Sequence, residues 1–306
     1  MTGISRPAHG WPVQAPGGRV AYVNGRYVSH AEACVHVEDR GLQFSDAVYE
    51  VFGIVARAIL NEEQHLDRLE RSLRELQIAM PIGRAPLALV VREVARRNRV
   101  NDGLVYLQVT RGAFRRDHAV PAASSIRPTL ILTARSMATE PMDARRESGV
   151  SVVTLPDRRW GRRDIKSTSL LANVLAKTEA RNQGAYEAWL VDGDGRITEG
   201  SSTTAWIVDG QGRLLTRELS HAILPGVTRR VLIELAKQAQ VTVIERPFSA
   251  EEAITAQEAL LTAATAGVMP VIAINGQRIG DGRPGPVTRR LQEIYRDRAA
   301  GVAQDH

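Results

Sequence analysis

Asparagine–glycine and aspartate–glycine pairs recur along this sequence and limit the folds that it can adopt. They include those at 24–25, 192–195, 209–210 and 275–276. Both residue types tolerate the backbone angles of tight hairpin turns. The segments around them are short and rich in β-branched and aromatic residues, as in Ala21-Tyr22-Val23 before the first turn. The pattern therefore predicts short strands joined by antiparallel hairpins.

Segments with helical periodicity separate these strands. Leu66, Leu69, Leu73 and Leu76 recur on one helical face within 65–78. Similar patterns predict helices at 86–98, 169–183, 226–240 and 286–298, and strands at 48–60, 104–110, 129–133, 150–155, 258–263 and 271–274. The expected fold is α+β, with antiparallel sheets packed against helices.

The length of 306 residues suggests two domains. Residues 1–20 are rich in proline and glycine and are expected to form a flexible arm. We expect a small α+β domain at 21–139, a charged linker at 140–149 and a larger cofactor-binding domain at 150–306.

Composition favours a small anionic ligand over a macromolecular partner. The net charge is +6, but the arginines are spread over predicted helix faces without interleaved aromatic residues, so nucleic-acid binding is not expected. We predict no membrane span, because no apolar run reaches the length that a span requires. The single cysteine, Cys34, fits a reducing cytoplasm. The spacing of His, Asp and Glu predicts no metal site.

The chemistry is carried by Lys166, in Asp164-Ile165-Lys166, and by Glu199, in Thr198-Glu199-Gly200. We expect the lysine at the start of a helix and the acid in a region of short strands. An amine that can form a Schiff base and an acid that can protonate a ring nitrogen are the minimum for pyridoxal phosphate chemistry. Taken singly, the lysine is typical of a surface group and the glutamate of a turn.

Five motifs in a fixed order make the pattern specific. They are Glu38-Asp39-Arg40-Gly41-Leu42-Gln43-Phe44-Ser45-Asp46-Ala47-Val48-Tyr49-Glu50-Val51, His65-Leu66-Asp67-Arg68-Leu69, Asp164-Ile165-Lys166, Thr198-Glu199-Gly200-Ser201-Ser202 and Leu224-Pro225-Gly226-Val227-Thr228-Arg229. The chain resembles the fold type IV pyridoxal phosphate enzymes from about Tyr22 to Arg298. Within them it is most similar to D-amino acid aminotransferases.

This resemblance implies a role for each motif. Lys166 would bind pyridoxal 5'-phosphate through a Schiff base and then shuttle a proton. Glu199 would pair with the pyridine nitrogen, and Leu224 would pack on the ring. Arg68, Val227 and Thr228 would bind the phosphate, the last two at a helix N-terminus.

The chain departs from the family pattern beside the phosphate. Where the family usually has serine or threonine, this sequence has Ala263 and Ala264. Thr265, backbone amides or water are the alternatives. We therefore predict weaker phosphate binding than is typical of the family.

The resemblance also points to the substrate. The loop at 112–120 contains Arg116 and His118, which with Tyr49 would bind the α-carboxylate of a D-amino acid. Arg115 is the alternative to Arg116. Ser202 is a further implied substrate contact. The loop would reach across the interface of a homodimer, and D-alanine, D-aspartate or D-glutamate would react with a 2-oxo acid.

Other functions remain open on the sequence alone. Branched-chain L-amino acid aminotransferases, (R)-amine transaminases and aminodeoxychorismate lyases share the lysine, the glutamate and the phosphate motifs. A non-catalytic protein that binds a phosphate ligand is a further alternative, favoured by Ala263 and Ala264. A serine hydrolase is excluded, because Ser201 and Ser202 lack a G-x-S-x-G motif.

Overall fold

The computed structural model describes residues 18–304. The first sheet has the strand order β2-β1-β6-β5-β3-β4, and its pairings are antiparallel. Its strands are β1 (Val20–Val23), β2 (Arg26–Ser29), β3 (Ala47–Val55), β4 (Ala58–Ile59), β5 (Gly103–Thr110) and β6 (Thr129–Ser136). Most of the predicted N-terminal arm, residues 1–17, lies outside the described residues.

Helices α1 (Arg40–Phe44), α2 (Glu62–Glu75) and α3 (Arg84–Arg97) accompany this sheet. The predicted apolar face of α2 is confirmed, because Leu66, Leu69 and Leu73 are buried in one cluster with Phe52 of β3. Burial of each such leucine contributes about 2 kcal/mol. The packing fixes α2 against β3, and this positions the polar residues of α2 described below.

The predicted linker at 140–149 contains a helix, α4 (Glu140–Ser148). Pro141 lies in its first turn, acidic residues stand near its start, and Arg145 and Arg146 stand in its last turn. These are favourable positions in a helix, so the proline and charges that suggested a linker are the signals of a short helix. The proposed domain boundaries remain a prediction.

The second sheet has the strand order β12-β11-β10-β13-β14-β7-β8-β9, with β15 paired to β14. Its strands are β7 (Val150–Pro156), β8 (Glu187–Val191), β9 (Ile197–Gly200), β10 (Thr204–Val208), β11 (Leu214–Thr216), β12 (Val243–Glu245), β13 (Glu258–Ala263), β14 (Gly267–Ile274) and β15 (Gln277–Arg278). The helices of this half are α5 (Leu171–Asn182), α6 (Val227–Gln238), α7 (Ala250–Ile254) and α8 (Pro286–Gln304).

This sheet is mixed, so the expectation of purely antiparallel sheets is wrong here, although the α+β class is confirmed. Strand β7 is parallel to β8 and to β14, and β11 is parallel to β12. Parallel neighbours need a long crossover. Helix α5 provides it between β7 and β8, and α6 provides it between β11 and β12.

The glycine turns are confirmed where they were predicted. Asn24 and Gly25 have φ of 47° and 90°, and Asn275 and Gly276 have φ of 51° and 77°. The single strand predicted at 48–60 is instead a hairpin, because Ala56 and Arg57 turn the chain with φ of 46° and 71°. Neither residue type signals a turn, which is why the sequence does not indicate it.

Candidate active site

A cavity of about 280 Å³ lies where the two sheets meet. Its walls come from β3, α2, the segment before α5, the β9–β10 connection, the start of α6 and the turn after β13. Residues that are distant in sequence therefore share one space. The predicted site residues that line it are Tyr49, Arg68, Lys166, Glu199, Ser202, Leu224, Val227, Thr228 and Thr265.

Lys166 does not stand at a helix start, because α5 begins five residues later at Leu171. Its segment is fixed by backbone hydrogen bonds to the first sheet instead. The Tyr49 N–H donates to the Lys166 carbonyl at 3.0 Å, and the Thr168 N–H donates to the Ala47 carbonyl at 3.0 Å. The Lys166 ammonium lies over the Tyr49 ring, 4.1 Å from its centroid. The amine thus lies at the cavity against an aromatic face.

Glu199 is 5 % exposed, on strand β9 at the cavity wall. Arg159 forms a short ion pair with it, and the Leu224 N–H donates to both carboxylate oxygens at 3.2 Å. Burial raises the pKa of Glu199, and the Arg159 guanidinium opposes that rise. The Glu199 carboxylate therefore pairs with the Arg159 guanidinium and also faces the cavity.

Arg68 belongs to a buried cluster with Glu50 and His65. Its Nε and Nη2 donate to the two oxygens of Glu50, each at 2.8 Å, and His65 Nδ1 donates to Glu50 at 2.7 Å. Burial alone would raise the pKa of Glu50, but Arg68 and His65 lower it to about 2. The third nitrogen of the guanidinium, Nη1, donates to the Pro225 carbonyl at 3.2 Å, so Arg68 lies against the loop before α6.

The N-terminus of α6 opens onto the same cavity. Gly226 is its N-cap residue and provides no side-chain cap, while Val227 and Thr228 are buried in the first turn. The first amides of a helix have no partner within it, and they attract anions. A methyl group on Gly226 would stand 3.0 Å from Thr204 Oγ1 and 3.2 Å from Arg229 Cβ, which is tighter than ordinary contact, so glycine leaves this approach more open than alanine would.

The end of β13 and the turn after it bring Ala263, Ala264 and Thr265 to the cavity. The backbone of this turn is held from behind, since Arg146 Nε donates to the Ala266 carbonyl at 3.1 Å. The two alanines thus stand at the wall without a hydroxyl, as the sequence departure implied, and Thr265 is half-buried beside them. Their effect on phosphate binding remains a prediction.

Ser202 lines the cavity, but its hydroxyl is engaged. It donates to Oε2 of the fully buried Glu187 at 2.7 Å, and Ser201 donates to Oε1. Lys177 completes the cluster, 3.2 Å from Glu187 Oε2. Ser202 can therefore offer lone pairs to a ligand while its proton is held by the carboxylate.

Arg116 and His118 do not reach the cavity of their own chain. Both are exposed, and both pack on Phe44, at 4.8 Å for the guanidinium and 5.4 Å between rings. The neighbouring Arg115 is also exposed. Within one chain the structure does not bring the predicted carboxylate-binding residues together with Tyr49.

Sequence reasoning missed Arg159, which also pairs with Asp157 at 2.8 Å. Its signal is weak, because it stands among several arginines just before Lys166 and nothing local marks the one that meets Glu199. Glu50 and Glu187 were missed as partners as well. Each lies inside a strand, where a buried carboxylate is unusual unless it is paired.

The donor set fits a phosphorylated pyridine. The uncapped helix N-terminus, the glycine-lined approach and Arg68 suit a phosphate dianion. Glu199, buried across the cavity, suits a protonated ring nitrogen, and Lys166 suits an aldehyde. Among residues 18–304, no cluster of His, Cys, Asp and Glu is arranged to bind a metal ion. In the same range no helix is long and apolar enough to cross a membrane.

The fold and this site define the class of protein. Residues 47–274 match the family model of amino-transferase class IV, and the chain belongs to that family. Among curated relatives, it is 36% identical to a D-alanine aminotransferase of Bacillus licheniformis over 88% of this chain and 93% of that protein. It is 35% identical to a D-alanine aminotransferase of Staphylococcus haemolyticus over 90% of this chain and 95% of that protein.

Solved structures of aminotransferases share the fold of this chain. A branched-chain amino acid aminotransferase of Escherichia coli superposes with a TM-score of 0.85 at 25% identity, over 90% of this chain and 93% of that one. A T.th. branched-chain amino acid aminotransferase, solved with pyridoxamine 5'-phosphate, gives a TM-score of 0.83 at 25% identity, over 93% and 95%. The predicted fold type is thereby confirmed.

Proposed function

We propose that this protein transfers the amino group of a D-amino acid to a 2-oxo acid, with pyridoxal 5'-phosphate as cofactor. The observation that carries the proposal is that Lys166, Glu199, Arg68 and the start of α6 line one cavity. The two D-alanine aminotransferase relatives support the choice of a D-amino acid.

Bound pyridoxal phosphate supplies an aldehyde and an electron sink that lowers the barrier to breaking the bond between Cα and its hydrogen. Arg68, Val227 and Thr228 would hold its phosphate, and Leu224 would contact its ring. Glu199 would accept a hydrogen bond from its protonated ring nitrogen. The bidentate partner Glu50 keeps the Arg68 fork in one orientation, so that Nη1 stays at the phosphate end.

Lys166 would attach the cofactor and then act as general acid and base. Its Nζ would take the proton from the substrate Cα as general base and would donate a proton as general acid later in the transfer. The two backbone hydrogen bonds that hold its segment to β3 limit where Nζ can reach. Restricting that reach restricts which face of Cα loses its proton.

Glu199 must stay ionised to stabilise a protonated ring nitrogen. Burial by itself favours the neutral acid, and the short ion pair with Arg159 opposes this. Arg159 thus acts as a positioning residue for the carboxylate. The Leu224 N–H, at 3.2 Å from both oxygens, fixes the carboxylate plane.

The substrate carboxylate would be bound by Tyr49 together with Arg116 and His118 of a second copy of the chain. The exposure of the two loop residues outside their own cavity supports a homodimer in which each loop serves the other subunit. D-Alanine, D-aspartate and D-glutamate are the candidate donors. We place the enzyme in the cytoplasm, which the single cysteine supports.

The second candidate is transamination of branched-chain L-amino acids, favoured by the solved neighbours. Half-reactions of the loaded enzyme with D-alanine, L-leucine and (R)-1-phenylethylamine separate the candidates when followed by the visible absorbance of the bound cofactor. The proposal is supported if D-alanine removes this absorbance at a lower concentration than L-leucine or (R)-1-phenylethylamine does. A faster reaction with L-leucine or the amine contradicts the substrate, and release of pyruvate from aminodeoxychorismate without an amino acceptor would indicate a lyase.

A further inference from the structure

We propose that Thr204 is a further phosphate-binding residue of this chain, and that its hydroxyl replaces those missing at Ala263 and Ala264. This inference rests on the proposed function, because it assigns a ligand to the phosphate end of the same cavity. Thr204 is the first residue of β10 and is 6 % exposed, yet it lines the cavity. It lies between the motifs at 198–202 and 224–229 and belongs to neither.

The geometry directs this hydroxyl at the start of α6. Thr204 Oγ1 would stand 3.0 Å from a methyl group on Gly226, the N-cap residue. The amides of Val227 and Thr228 follow directly, and Arg68 reaches the Pro225 carbonyl one residue before the cap. The hydroxyl therefore lies beside the group of donors that suits a phosphate.

The Thr204 hydroxyl makes no capping hydrogen bond to the start of α6, although it lies beside it, because α6 has no side-chain cap. Its cross-strand partner Thr262 differs, because the Trp206 indole donates to that hydroxyl at 3.0 Å. Unlike the Thr203 hydroxyl, that of Thr204 is not among the buried polar atoms of residues 18–304 that lack a partner, so its place beside α6 is what assigns it to the phosphate.

Adjacent Thr203 provides a matched comparison. It lines the same cavity and its buried hydroxyl has no partner in the described chain, but it faces Gly200, not the start of α6. Successive residues at the start of a strand point to opposite sides. The same substitution therefore removes a hydroxyl from the Gly200 side at position 203 and from the α6 side at position 204.

The test compares two ligands that differ in the phosphate alone. Dissociation constants for pyridoxal phosphate and for pyridoxal are measured by absorbance titration on the wild-type protein and on Thr204→Val, Thr204→Ser, Thr203→Val and Thr265→Val. Thr204→Val should weaken pyridoxal phosphate binding by about tenfold or more, as expected for a hydrogen bond to a charged group. Pyridoxal binding should be unchanged, and Thr204→Ser and Thr203→Val should keep the wild-type ratio of the two constants.

Three outcomes would overturn the inference. They are wild-type affinity in Thr204→Val, an equal loss for both ligands, and a phosphate-specific loss in Thr265→Val alone. If Thr204→Val does not fold, Thr204→Ala takes its place, because it removes the same hydroxyl; it should weaken pyridoxal phosphate selectively, and an unchanged ratio there also overturns the inference. Failure of the proposed function looks different, because the wild-type protein itself would then bind pyridoxal phosphate without transaminating any amino acid.

Discussion

The cavity wall and the loop at 112–120 are built in opposite ways. At the wall, charged groups are buried and paired, as Glu50 is with Arg68 and Glu187 is with Lys177. In the loop, Arg116 and His118 are exposed and pack against the Phe44 ring. One chain thus brings together the residues proposed to hold the cofactor, whereas Arg116 and His118 stay apart from Tyr49. In the proposed homodimer, folding alone organises the first group and assembly organises the second.

The largest effect is expected at the wall from Lys166→Ala. It should lower transamination by about ten-thousandfold or more, because it removes both the attachment point and the proton carrier. Borohydride reduction of the wild-type protein should label the peptide that contains Lys166. Lys237→Ala, at an exposed position on α6, is the control and should keep full activity. Substantial turnover in Lys166→Ala would remove the proposed mechanism.

Glu50→Gln tests whether the wall is held by its own ion pairs. It leaves Arg68 buried and unpaired, so the free energy of unfolding should fall by about 3 kcal/mol or more. Since the pKa of Glu50 is lowered to about 2 in the folded protein, its contribution is present above its ordinary pKa and is lost as the pH falls toward 2. Urea unfolding at pH 7 and pH 3 should therefore differ less in the variant than in the wild type.

Glu93→Gln is the matched control for this experiment. The pKa of Glu93 is also lowered to about 2, by hydrogen bonds from Arg96 and Arg97, but these pairs lie at the surface. Exposed ion pairs contribute little to stability. If Glu93→Gln lowers the free energy of unfolding as much as Glu50→Gln does, burial is not what makes the Glu50 ion pair stabilising.

The double variant Arg116→Ala with His118→Ala should raise KM for D-alanine and lower kcat/KM by about a hundredfold, through loss of charged hydrogen bonds to the substrate carboxylate. Mixing it with Lys166→Ala sharpens the comparison. If the loop serves the other subunit, half of the sites in each mixed dimer are intact, and about a quarter of wild-type activity should return at equal amounts. No recovery after verified subunit exchange would place the loop in its own subunit.

Ser202→Ala should have the smallest effect. Because its hydroxyl proton is held by Glu187, the serine can contribute only an acceptor to the substrate, and kcat/KM should fall by about fivefold or less. The measurement is steady-state kinetics with D-alanine, with melting temperature as a check on folding. If kcat/KM falls as far as in the Arg116 and His118 double variant, the Ser202 hydroxyl contributes as much to substrate binding as the loop does.

Local signals in the sequence predicted most of the elements and the ordered motifs of the site. The leucines of α2 and the Asn-Gly turns are examples in which the residue type itself imposes the geometry. Three features escaped. The turn at Ala56 and Arg57 uses residues that carry no turn signal, the parallel pairing of β7 with β8 depends on a distant crossover, and Arg159 is distinguished from its neighbouring arginines only by what it meets in space.

Lys166 follows β7 along the chain, but its segment is bonded to β3, where Ser167 forms a bridge to Val48. Glu199, by contrast, is a strand residue of the second sheet. The amine and the acid therefore belong to different halves of the molecule. A hinge movement between the two halves would separate them. A fragment that began at β7 would keep Lys166 in its sequence but would lose β3, the strand that holds it in place.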